Sequence, residues 1–534
     1  MVLGEIGEKV KKELKKLGVE KELKRSEKHG DFFIEAFDLD GEEIAETFKV
    51  EGVKAKAEGN YVNFYVDWEY WGKRLLDKVL KEGKNYGREK MGKKVVIEYS
   101  SPNVARPMHV GHLRNTVLGN SLCRIYEFMG NKVIKINWLG DTGTQFGKLI
   151  LAYKLWGNEE ELEKNPIKEL LRVYVKFHEE AEKDPKLEEK AREIYAALEG
   201  GKEEFVELWK RFRELSIREF KRIYDLLGAK FDEYTGESYY IEKAKKVVEE
   251  LKKKGLAYEK EGSVILHVEG VPDTVIMKKD GTTLYLTRDL ATAIDRYEKY
   301  KFDLMLYVVG SEQKLHFRQL FRTLEAMGYE WAKNCKHISY GLIRLPEGKI
   351  STRKGRVVTA EEVINRSVEE AGKVMRGIGK FDQEVAEKVG LAAVIYSILK
   401  VDPEKFVEFK WDEMLRLKGN TAPYLLYSYV RAKHILDKAE LKEFEVKGLK
   451  EQERRLLKKL SLFPLVVKDA LERNKPNFIA NYLYGLCDDF NRFYEECQVL
   501  GSEKEEFRVA LVSCTKIVLE NCFKLLGMPL VEKM

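Results

Sequence analysis

The sequence predicts an α/β protein: a parallel sheet with helices, interrupted by a helical insertion and followed by an all-helical C-terminal region. Three observations predict it. Apolar runs at 94–99 and 132–139 flank the segment 113–129, where Leu118, Leu122, Ile125 and Met129 recur at helical spacing. A strand–helix–strand unit of this length makes its strands parallel and its crossover right-handed. The strand pattern returns at 304–309 and 335–342 around a helix expected over 313–327, whereas 151–230 and the residues beyond about 361 carry helical signals only.

The elements divide the chain in order. Residues 1–88 read as a small α+β domain, opened by a charged amphipathic helix and containing the alternating strand 61–66. Residues 89–360 hold the sheet, with Gly130 ending its first helix and the insertion at about 151–230. Short strands are expected at 263–268 and 274–277. A helical connector, 361–404, leads to a helical domain, 405–534.

Composition excludes several classes. With 534 residues and 44% hydrophobic side chains, the chain has ample material for large cores and is not disordered. No apolar run is long enough to span a bilayer, and residues 1–28 are too charged for a signal peptide, so a soluble, cytoplasmic protein is expected. The net charge of +6 is mild; it permits nucleic-acid binding through local patches. None of the six cysteines lies in a C-x-x-C pair and no histidine completes a zinc spacing, so reduced core thiols and no bound zinc are expected. No coiled coil is evident, which leaves a monomer as the default.

The chemistry concentrates where the first strand hands over to the first helix: Glu98-Tyr99-Ser100-Ser101-Pro102-Asn103-Val104-Ala105-Arg106-Pro107-Met108-His109-Val110-Gly111-His112. Gly111 allows close approach of backbone to a phosphate, and the helix that follows aims its amides at an anion. Two imidazoles there can donate to charge developing on a phosphate. Lys349-Ile350-Ser351-Thr352-Arg353-Lys354-Gly355 is a second candidate, a basic loop able to close over a triphosphate, although a solvated turn would look the same.

The first run resembles the HIGH signature of class I aminoacyl-tRNA synthetases, and the longer pattern S-S-P-N-x-A-x-P-x-H-V-G-H-L-R is similar to that of the arginyl-tRNA synthetases. Further matches follow in order: Asp141 to Gly147, Gly236-Glu237-Ser238, Tyr285 to Ala291, Gly310 to His316, and Thr421 to Tyr427. The basic loop resembles KMSKS, with Thr352 in place of its second lysine. In this family a lysine before the first signature takes over that role; here the position holds Arg106, a planar fork rather than a compact ammonium.

The resemblance implies a Rossmann-type catalytic domain that joins L-arginine to ATP and passes the arginyl group to the 3′-terminal ribose of tRNA. It implies ATP with Mg2+ as the substrate complex. His109, His112, Arg106, Lys349, Ser351 and Lys354 would be catalytic, with Gly111, His316, Thr352 and Arg353 also at the ATP. A guanidinium substrate needs carboxylates and an aromatic face. The resemblance supplies Glu98, Asn103, Asp141, Glu237, Tyr285, Asp289 and Gln313; Asp141 could equally cap its own loop, and Gln145 would lie near the substrate. Tyr285 and Asp289, four apart, meet on one turn of a helix. Residues 1–88 are similar to the family's additional tRNA-binding domain, and the C-terminal helices to its anticodon-binding bundle. Tyr424, Tyr427 and Arg431 share one helical face, suited either to stacking bases or to a buried aromatic stripe. Two other readings stay open at this point: a synthetase-like paralogue that binds tRNA or nucleotide without charging tRNA, and a nucleotidyltransferase acting on small molecules.

Overall fold

The computed structural model describes residues 2–26, 29–345, 358–377 and 379–534. Contacts divide the chain into two units. One holds residues 1–89 with 416–525 and 529–534; the other holds 90–415 with 526–528.

The N-terminal part of the first unit runs α1 (Val2–Lys16), β1 (Lys24–Arg25), β2 (Phe32–Glu35), α2 (Gly41–Thr47), β3 (Val53–Glu58), β4 (Tyr61–Val66) and α3 (Trp68–Glu82). The strands form an antiparallel sheet in the order β1-β2-β4-β3. Alternation in β4 buries Val62, Phe64 and Val66. Asp40 and Asp67 start α2 and α3 as N-caps, each accepting backbone N–H bonds from the first turn.

The second unit opens with the strand–helix–strand unit the sequence predicts: β5 (Lys94–Glu98), α4 (Val110–Phe128) and β6 (Lys132–Leu139). The insertion is five helices: α5 (Gln145–Trp156), α6 (Glu159–Lys164), α7 (Pro166–Ala181), α8 (Lys186–Glu199) and α9 (Glu203–Leu227). There follow β7 (Glu233–Gly236), α10 (Ile241–Lys253), β8 (Ala257–Lys260), β9 (Ser263–Leu266), β10 (Thr274–Met277), α11 (Tyr285–Tyr300), β11 (Leu304–Gly310), α12 (Lys314–Ala326), β12 (Cys335–Tyr340) and β13 (Ile343–Arg344). The unit ends with α13 (Ala360–Gly377), α14 (Gln383–Leu399), β14 (Val407–Glu408) and the short α15 (Trp411–Met414).

The central sheet has the order β12-β11-β5-β6-β7, and every pairing in it is parallel. Val95, Val96, Ile97, Met305, Leu306 and Val308 are fully buried, as strands covered on both faces require. The chain leaves β5 toward β6 on one side and later returns to β11 on the other. That reversal is a topological switch point beyond the C-terminal ends of β5 and β11, the position at which sheets of this kind bind ligands. β8, β9 and β10 form a separate antiparallel sheet.

The C-terminal helices α16 (Ala422–Leu436), α17 (Glu451–Arg473), α18 (Asn477–Glu496) and α19 (Glu505–Leu526) complete the chain, most of them in the first unit. Within that unit the N-terminal domain packs against α17. Pro464 lies inside α17 and has no N–H for the carbonyl of Leu460, one turn back. The buried Tyr86 hydroxyl donates to that carbonyl at 3.1 Å. All six cysteines are free and buried. Among the described residues, no helix is long and apolar enough to cross a membrane.

Candidate active site

His109 is the N-cap of α4. Its Nδ1 accepts the N–H of Gly111 at 3.1 Å, and His112 Nδ1 accepts the N–H of His109 at 3.2 Å. The two rings stack with centroids 3.7 Å apart. Burial lowers the pKa of both imidazoles; the charge of Arg106 adds to this at His109, and His109 adds to it at His112. Both rings are therefore neutral near pH 7. With each Nδ1 occupied as an acceptor, the ring proton sits on Nε2. The first-turn amides of α4 are taken up by the His109 ring and the Val358 carbonyl, so the donors the helix start offers a phosphate are the two Nε2–H groups.

Arg106 is exposed and lies over the Tyr174 ring of α7, 5.4 Å from its centroid, with a 3.4 Å contact to the hydroxyl. Lys349, Ser351, Thr352, Arg353 and Lys354 lie outside the described residues. The chain re-enters the described structure against the histidine turn: Val110 donates to the carbonyl of Val358, Ala360 to that of Met108, and His109 bridges Thr359. Two residues past His112, Arg114 is 1% exposed, and its guanidinium donates to four carbonyls, those of Gly341, Leu342, Pro403 and Lys405. This fastens the segments around β13 and β14 to the histidine helix.

The four candidate carboxylates are not alike. Glu98 ends β5 with its side chain 7% exposed, and its Oε2 lies 2.5 Å from the buried Arg296 of α11, which sits over the Trp138 ring. Burial raises the Glu98 carboxyl and the Arg296 charge opposes this. Glu237 Oε2 accepts from Thr142 Oγ1 and Arg288, each at 2.8 Å. Asp141 accepts from the Ser238 amide at 3.0 Å and hydroxyl at 2.9 Å, and from Arg213 at 3.3 Å. Gly236 is required beside it, because a Cβ there would fall 2.4 Å from Asp141 Oδ2. Asp289 differs: among the described residues its partner is an imidazole, His316 Nε2, at 2.6 Å. Its charge also bears on Glu98 and Glu237, so the three acids share one region.

The sequence-predicted residues therefore separate. Tyr285 and Asp289 meet as expected on the first turn of α11, and Tyr285 is 67% exposed and open to a ligand. Gln313 is exposed just past β11, and Asn103 is exposed past β5, its side chain against Gly140, where any Cβ would clash with Asn103 Oδ1. Asp141 does not cap its own loop: its carboxylate is held by Ser238 and Arg213 from other segments, because its interior position needs all three donors. His316, expected at the ATP, bonds to Asp289 on α11. Gln145 turns back to donate to the Thr142 carbonyl. Arg213, Arg288 and Arg296 were not legible as partners, since spacing does not reveal a buried cross-chain ion pair; only the adjacency of Arg288 to Asp289 hinted at one.

In α16, Tyr427 is 39% exposed. Arg431 lies over Tyr427 and Tyr494 at 4.5 and 4.8 Å and donates to Asn491 at 2.9 Å, while Tyr424 packs near Tyr484. Among the described residues, no group of three His, Cys, Asp or Glu side chains gathers to hold a metal ion.

The family model for the class I tRNA synthetase (R) catalytic domain matches residues 74–411, and that for the DALR anticodon binding domain matches 425–534. An arginine–tRNA ligase of Clostridium acetobutylicum is 46% identical over 511 residues, 92% of this chain and 90% of that protein. The chain belongs to the arginyl-tRNA synthetases. A relative from Halothermothrix orenii, also an arginine–tRNA ligase, is 43% identical over 95% of the chain and 92% of its own length. The synthetase fold is shared with Thermus thermophilus arginyl-tRNA synthetase, at a TM-score of 0.84 and 24% identity with both chains fully covered. The Plasmodium falciparum enzyme aligns at 0.83 and 23%, over 100% of this chain and 99% of its own. A synthetase of this class uses ATP, to which the Nε2–H groups of the histidine turn can donate.

Proposed function

We propose that the chain activates L-arginine with ATP and transfers the arginyl group to tRNA, with the switch point beyond β5 and β11 as its active site. The arginine carboxylate attacks the α-phosphate, forming arginyl-adenylate and releasing pyrophosphate. A ribose hydroxyl of the tRNA 3′ end then attacks the acyl carbon and releases AMP. The resemblance implies that this is the 2′-hydroxyl, and that activation needs bound tRNA. Both steps join substrates directly, so the side chains position reactants and stabilise charge. The Nε2–H groups of His109 and His112 donate to the α-phosphate as its charge grows. Arg106 and the basic loop residues Lys349, Ser351, Thr352, Arg353 and Lys354 offset charge on the leaving pyrophosphate. Magnesium, held by ATP phosphates and water, supplies further charge neutralisation.

Asp289 pairs with the substrate guanidinium and Tyr285 covers its face. Glu98 and Glu237, each already balanced by an arginine of the chain, shape the pocket's charge, while Asn103 and Gln313 hold the α-groups or brace the wall. Tyr427, with Tyr424 and Arg431, offers the tRNA a stacking surface, and residues 1–88 serve as a second tRNA-binding domain. The observation that carries this reading is Asp289: three neighbouring acids are matched by internal guanidinium groups, and it is not. ATP–pyrophosphate exchange across the twenty amino acids, with and without tRNA, tests it. Exchange with arginine alone is expected; exchange with lysine or a neutral amino acid would overturn it.

A further inference from the structure

Of the six non-glycine residues with left-handed backbone among the described residues, three fall within one turn: Ser100 at φ 74°, Ser101 at 50° and Ala105 at 62°. Side chains resist this conformation, which persists only where the surroundings enforce it. Here each strained N–H is held by a side chain from a different element. Asn115 Oδ1 of α4 accepts from Ser100 at 2.7 Å, Asn137 Oδ1 of β6 from Ser101 at 3.2 Å, and Ser216 Oγ of α9 from Ala105 at 2.9 Å.

The holds are wired together. Asn137 Nδ2 donates to the Tyr224 hydroxyl at 2.8 Å; that oxygen is 2.8 Å from Ser100 Oγ, itself 2.8 Å from Thr116 Oγ1. Thr116 Oγ1 donates to the carbonyl of His112 at 2.7 Å. With one proton per hydroxyl, the bonds run in one direction, from Asn137 through Tyr224, Ser100 and Thr116 to the histidine turn. α9 supplies Ser216 and Tyr224, and on the same face Trp209 donates to the Asp141 carbonyl at 2.8 Å. One helix of the insertion thus grips both loops of the site.

We propose that Ser216 and Tyr224 are positioning residues for adenylate formation. By holding Ala105 and Ser100 they keep a strained turn in the shape that presents Asn103 and His109. This inference rests on the active-site reading above. Ser216→Ala and Tyr224→Phe, the latter keeping the ring against Phe231, are assayed by arginine-dependent pyrophosphate exchange with tRNA present. Ser367→Ala is the control: it removes an equally buried hydroxyl, which donates to Gly390 in the α13–α14 region.

Both variants are expected to lower kcat by about 10- to 100-fold, the cost of a small misplacement of reacting groups, while Ser367→Ala leaves it unchanged. Glycine adopts the φ of Ala105 without resistance. Adding Ala105→Gly to Ser216→Ala should therefore recover kcat, which a merely structural hydroxyl on α9 would not allow. An unchanged kcat in both variants, a loss equalled by the control, or no recovery on adding Ala105→Gly overturns the inference. An unimpaired His112→Ala would instead overturn the site reading itself.

Discussion

Asp289 Oδ2 and His316 Nε2 lie 2.6 Å apart, joining the first turn of α11 to the first turn of α12. The neighbouring acids Glu98 and Glu237 are each matched by a guanidinium of the chain, Arg296 and Arg288. His316 orients the Asp289 carboxylate, and among the described residues no guanidinium pairs with it. Asp289 is therefore the carboxylate of this group that no arginine of the described residues occupies, and it is open to a substrate guanidinium.

His316→Ala should raise the KM for arginine by about tenfold, the value of one oriented hydrogen bond to a charged group, and leave the KM for ATP unchanged. Steady-state exchange kinetics check this. A change confined to ATP would return His316 to the nucleotide, where the family resemblance places it.

His112→Ala should slow adenylate formation by about 10²–10³-fold, as for loss of one preorganised donor to developing charge. Single-turnover measurement of pyrophosphate release reads that step alone. A rate equal to wild type would remove His112 from the chemistry.

Acid should destabilise the fold through the same histidines. Burial lowers both pKa values in the folded state from the ordinary 6.5. Below pH 6.5 the unfolded chain therefore binds more protons than the folded one, so stability falls as pH drops through that value toward the folded pKa. Urea unfolding midpoints of wild type and of His112→Gln across pH 5–7 check the sign: the wild type should lose more stability on acidification.

Tyr86→Phe should destabilise the protein by about 1–3 kcal/mol, because the Leu460 carbonyl freed by Pro464 would be left buried without a donor. Tyr86→Phe combined with Pro464→Ala, which restores a helical N–H, should recover most of the loss in a urea titration.

What was legible in the sequence follows from local pattern. β5, α4, β6, β11 and β12 were readable because parallel strands buried on both faces are continuous apolar runs, and the histidine turn because its chemistry is contiguous. Strand 335–342 ends early, at Tyr340, where Gly341 and Leu342 turn to meet Arg114. β8 was not readable: apart from Ala257 its residues are exposed, so nothing marks it as a strand until β9 pairs with it. In the site, Tyr285 and Asp289 were visible as neighbours on one helical turn. The roles of Asp141 and His316 were not, because they depend on Ser238, Arg213 and Asp289, residues far away in the chain.

The central claim is that the Asp289 carboxylate reads the charge of the substrate side chain. Citrulline, a neutral near-isostere of arginine, tests it most directly through the arginine-to-citrulline ratio of kcat/KM in wild type and Asp289→Asn. The wild-type ratio should be about 10⁴ or more, as for a site whose buried polar group is left unpaired by the wrong substrate, and it should collapse in Asp289→Asn through loss of arginine activity. A ratio preserved in Asp289→Asn would contradict the account.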